Sequence, residues 1–70
     1  MTFDRSHVLK VFSLYTSELN DVAKWLSVAR ERPDENTTLY VKRVLQAAKD
    51  AGKLDELAEL VDQFHAARSR

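Results

Sequence analysis

Tyr40-Val41-Lys42-Arg43-Val44-Leu45-Gln46-Ala47-Ala48-Lys49-Asp50-Ala51-Gly52-Lys53-Leu54-Asp55-Glu56-Leu57-Ala58-Glu59-Leu60-Val61 is the stretch that decides the fold. Its apolar residues recur three and four apart, first at Tyr40, Val41, Val44, Leu45 and Ala48, then at Leu54, Leu57, Ala58 and Val61. That spacing places each set on one face of a helix. Gly52 stands between them, where a left-handed residue closes the first helix. Two consecutive amphipathic helices are therefore predicted, the second running on through Phe64 and His65.

Upstream the same period continues. Val8, Val11, Phe12 and Tyr15, with Leu9 beside them, predict a first helix over roughly residues 4–14. Asp4 or Ser6 is suited to accept from its free first-turn amides, and Phe3 is placed to staple that turn. A second helix is predicted to start at Thr16 or Ser17. Its stripe is Leu19, Val22, Ala23, Leu26 and Ala29 or Arg30, widened by Trp25 and Val28. Pro33 disfavours helical geometry at Arg32, so this helix is expected to run to that point. Residues 33–37 read as a loop, with Asp34, Asn36 or Thr37 capping the third helix. Trp25 and Tyr40 lie beside apolar stripes, which reads as packing, although aromatic residues of this kind also anchor interfaces.

Composition agrees with this pattern. Seventy residues make one domain, and a single glycine and a single proline are too few for a β-rich chain. The predicted class is all-α, a compact antiparallel bundle of four to six short helices. There is no cysteine, so neither a disulfide framework nor a thiolate metal site is available. No apolar run approaches the roughly 20 residues needed to span a bilayer. The N-terminus lacks the basic and apolar regions of a secretory signal, and a cytoplasmic location with no membrane partner is expected.

Candidate chemistry is sparse. His7 and His65 are isolated, whereas a metal site needs three or four converging ligands. Ser6 and Ser13 offer hydroxyls near His7, but neighbours on a helix point in different directions, and a triad also needs an orienting acid and an oxyanion hole. One glycine cannot build a phosphate-cradling loop. No catalytic, cofactor-binding or metal site is predicted, and enzyme activity is not expected.

Eleven basic residues balance eleven acidic ones, which argues against nucleic acid as a partner. The charges are nevertheless segregated. Lys42, Arg43 and Lys49, with Lys53 just beyond, make the third helix basic, against Asp50 alone. The fourth opens with Asp55, Glu56, Glu59 and Asp62, which phosphates would repel in a helix-turn-helix reader. Solubility and local ion pairs account for part of this distribution. The other reading is a protein interface. Lys42, Arg43 and Lys49 on one surface would then meet Asp55, Glu56, Glu59 and Asp62 on another, head to tail.

The segment Val11-Phe12-Ser13-Leu14-Tyr15-Thr16-Ser17-Glu18-Leu19 resembles the opening of bacterial effector-associated, death-like domains. Residues 44–61 are similar to their closing two helices, above all Gly52-Lys53-Leu54-Asp55-Glu56-Leu57. The resemblance covers about residues 8–64. It implies a death-fold-like adaptor that pairs with like domains to gather effectors in bacterial signalling or defence. Members of that family usually have five or six helices and an arginine-proline ending, whereas four helices are read here and the chain finishes Ala66-Ala67-Arg68-Ser69-Arg70. Two further expectations come from other classes. One is a small dimeric helical DNA-binding regulator, the other a structural homodimer completing its core across a two-fold axis.

Overall fold

A computed structural model describes residues 3–68. It contains four helices: α1 (Arg5–Phe12), α2 (Thr16–Trp25), α3 (Thr37–Asp50) and α4 (Leu54–Arg68), with no strand among the described residues. The protein is all-helical, as the periodicity predicts. In the sequence Arg68 and Arg70 read as charges suited to the dipole at the end of the last helix; Arg68 closes α4, and Arg70 lies outside the described residues.

Each helix start has an identifiable cause. Asp4 caps α1, its Oδ1 accepting from the backbone N–H of Ser6 (3.0 Å) and His7 (3.3 Å). Asn36 caps α3 by accepting from Leu39 N–H at 2.9 Å. For α2, neither Thr16 nor Ser17 is the cap; both lie inside the helix. Tyr15 holds that position with extended backbone, and Glu18 reaches back to accept its N–H at 2.9 Å. Asp55 and Glu56 fill the first turn of α4, where the helix dipole favours negative charge.

Two helices end in the same way. In α3, Gly52 is left-handed (φ 67°), its N–H bonds Lys49 O and the N–H of Lys53 bonds Ala48 O. These are the paired bonds of a Schellman stop. In α2, Ser27 takes the left-handed position (φ 59°), with Ser27 N–H on Lys24 O and Val28 N–H on Ala23 O. The second helix therefore stops at Trp25, well before Pro33, and residues 26–36 form a long connection. Leu26 and Val28 still pack against the core from this non-helical segment.

The core draws on every helix. Val11, Leu19, Val22, Tyr40, Val41, Val44, Ala48, Leu57 and Val61 are buried together. In α1 the buried stripe is His7, Val11 and then Leu14 just past its end. The predicted stripe is thus rotated: Phe12 and Tyr15 are exposed, as is Leu9.

Helix α1 packs most extensively against α4. His7 and Lys10 reach Asp62, His65 lies against the Lys10 carbonyl, and Arg68 reaches the Ser13 carbonyl. Both sequences ascend together, so these helices run parallel. Helix α2 lies antiparallel to α4 but touches it only lightly, with Glu18 paired to Arg68 at one end and Trp25 across a groove from Glu56 at the other. The expected antiparallel arrangement therefore holds for some pairs and not for α1–α4. Helix α2 packs on α3, where Tyr40 meets Asn20, and α3 packs in turn on both α1 and α4. No helix among the described residues is long and apolar enough to cross a membrane.

Candidate protein-interaction site

Helices α2 and α4 leave a groove of about 340 Å³ between them. Its floor is apolar, formed by Val22, Trp25, Leu60 and Phe64, and its rim carries Asp21, Glu56 and Glu59. The three carboxylates come from exposed residues and have no ion-pair partner among the described residues. Trp25 is 36 % exposed, so it lines this surface instead of filling the core, whereas Tyr40 is 1 % exposed and packs inside. Lys53 sits over the Trp25 ring, 5.1 Å from its centroid, and holds the indole at the edge of the groove.

A second hollow, of about 400 Å³, lies between α1 and α3. Phe3, Val8, Leu45 and Leu54 line it, with Lys42 and Lys49 at the rim. Both lysines are exposed and without an ion pair among the described residues. No residue is shared between the two surfaces. At about 100° per residue, Leu54 lies roughly 150° around α4 from the centre of the groove-lining set.

The seven charged residues singled out from the sequence therefore divide. Glu56 and Glu59 meet at the acidic groove, and Lys42 and Lys49 at the basic hollow. Asp55 is exposed but lines neither. Arg43 is turned inward on its own chain. It forks onto Glu35 at 2.8 and 2.7 Å, donates to the Arg30 carbonyl at 3.1 Å, and lies 5.3 Å from the Tyr40 ring centroid. The guanidinium beside Glu35 holds that carboxyl below its ordinary range, and the Arg43 pKa rises in return. Burial pushes the Tyr40 phenol up, so its hydroxyl remains a donor to Asn20 Oδ1 at 2.8 Å.

Asp62 is likewise occupied. Its carboxylate accepts from Lys10 at 2.7 Å and lies 3.3 Å from His7 Nε2, and these bonds, Lys10 first, lower its pKa. His7, buried at 6 % exposure, also stacks on Phe3 and lies 3.0 Å from Asp4 through Nδ1. Asp4 in turn is held low, chiefly by the Ser6 hydroxyl. This cluster latches α1 to α4. Among the described residues no three His, Asp or Glu side chains converge in a manner suited to a metal ion.

Sequence reading misses Asp21, Leu60 and Phe64 as site residues, and leaves Trp25 between packing and an interface role. The acidic opening of α4 is visible in the sequence, but the approach of α2 to α4 is a tertiary fact with no local signal. No family model, curated protein or solved structure matches this chain.

Proposed function

We propose that this chain is a non-catalytic protein–protein interaction domain, an adaptor that assembles with a like domain or with itself through surfaces of opposite charge. The observation that carries this reading is the α2–α4 groove. An apolar floor with an exposed tryptophan favours burial against a partner, and three unpaired carboxylates select a basic one. The separate basic hollow at Lys42 and Lys49 gives the same molecule a surface of the other sign. The resemblance to bacterial effector-associated, death-like domains supports the same role, and a death-fold-like adaptor in bacterial signalling or defence is the finer form of the proposal.

Light scattering after size-exclusion chromatography, over a range of protein and salt concentrations, tests it. The expected result is concentration-dependent assembly that weakens as salt rises, because exposed charges are screened within about 8–10 Å at 0.10–0.15 M ionic strength. A Glu56→Arg/Glu59→Arg variant should lose that assembly while keeping its helicity. A dimer indifferent to salt, or assembly unaffected by the double reversal, would overturn the charge-directed reading.

A further inference from the structure

A groove needs a ridge, and the same molecule carries one. Helix α1 turns Leu9 and Phe12 outward, 63 % and 41 % exposed, and neither belongs to the core or to the side chains packed against it. Arg5 lies on the same stripe: at about 100° per residue, Arg5, Leu9 and Phe12 fall within about 60° of one another. Arg5 is exposed and has no ion pair among the described residues. No acid occurs between Arg5 and Phe12. The nearest, Asp4, is engaged by Ser6 and His7. Two turns of helix therefore expose a narrow apolar ridge with a positive charge at one end. Large apolar side chains at i and i+3 on a free helix face are the pattern by which a helix lies in an apolar groove.

We infer that the occupant of the α2–α4 groove is the α1 ridge of a second copy of this chain. Leu9 and Phe12 enter the apolar floor between Trp25 and Phe64, and Arg5 meets the carboxylates of Asp21, Glu56 and Glu59. The inference rests on the groove being a binding site, and it replaces the basic helix α3 with α1 as the donor surface. Ridge and groove share no residue. Each molecule gives one surface and receives on the other, so association closes as a two-fold pair that makes the contact twice, or continues into a ring or an open chain. An eight-residue helix is about 12 Å long and buries less than the roughly 800 Å² per partner of a standard interface. The association is accordingly weak and reversible, and measurement should begin at about 0.5 mM chain.

The test uses two variants, each with one surface removed at exposed positions. Leu9→Ser/Phe12→Ser removes the ridge and Glu56→Arg/Glu59→Arg reverses the rim of the groove. Far-UV circular dichroism checks that both remain helical. By sedimentation velocity, each variant alone should be monomeric, with self-association at least about tenfold weaker than wild type. Mixed in equal amounts, they should form a 1:1 dimer that grows no further, since each supplies the surface the other lacks. If the ridge variant assembles like wild type while the groove variant does not, the groove stands as a binding site and the ridge falls as its occupant. Wild-type assembly by both variants would sink both readings together. A mixture that stays monomeric, or a wild type monomeric at 0.5 mM, overturns the ridge-in-groove contact.

Discussion

Ser27 holds a backbone conformation that nothing in its side chain favours. At φ 59° its Cβ crowds the following carbonyl, a cost of about 1–2 kcal/mol that glycine escapes. Gly52 fills the equivalent position at the end of α3, and there the sequence signals the stop plainly. Replacing Ser27 with glycine should stabilise the domain by about 0.5–1 kcal/mol, after the entropic cost of a glycine is deducted. In a domain of this size the melting temperature rises by roughly 4–8 °C per kcal/mol. A thermal melt showing no rise would mean that Ser27 gains from a contact that glycine cannot make. This residue also explains why the end of α2 is not legible. Pro33 is the conspicuous breaker in the sequence, yet the chain has left the helix at a serine six residues earlier. Arg43 and Asp62 show the same limit: their partners lie eight to 55 residues away, so the sequence offers them as free charges.

Caps and turns make α1, α3 and α4 readable as elements, because Asp4, Asn36 and Gly52 act on their own neighbours. Orientation about the helix axis is harder to read. His7 occupies a buried position of α1 that an apolar residue usually fills, so the apolar count favours a stripe rotated towards Phe12 and Tyr15. The rotation matters because it turns Leu9 and Phe12 into surface. The latch between α1 and α4 makes stability depend on acid. Asp4 and Asp62 ionise in the folded state below the ordinary carboxylate value near 4. Their contribution is present above about pH 4 and disappears as pH falls through the lowered folded values, since only then must the folded state take up the protons. Asp62→Asn should therefore destabilise the domain at neutral pH and flatten its loss of stability between about pH 5 and 2. Urea unfolding at pH 7, 4 and 2.5 checks this, with wild type and variant converging at the lowest pH. A constant gap at all three values would assign the effect to packing alone.

At the scale of the whole molecule, the radius of gyration of 11.4 Å is close to the roughly 11 Å expected for a folded chain of this length. The shortest dimension is only 19 Å, less than two helix diameters with side chains, so one layer of core serves all four helices. The all-helical class, the number of helices and the acidic start of α4 follow from the sequence. The pairing of helices does not, and the candidate site lies in that pairing. The parallel union of α1 with α4 also sets the order in which the molecule is built. Helices α3 and α4 are joined by three residues and meet by closing a short loop, but α1 must wait for side chains 52 to 55 residues downstream. Contacts of such separation form after local ones, because the chain between them must first be ordered. Lys10→Ala should accordingly speed unfolding while leaving the folding limb of a chevron within about twofold of wild type. A slowed folding limb would place the latch in the nucleus instead. Of the four helices, α1 is thus made before the others and docks after them, and until α4 is complete its buried histidine has no carboxylate across from it.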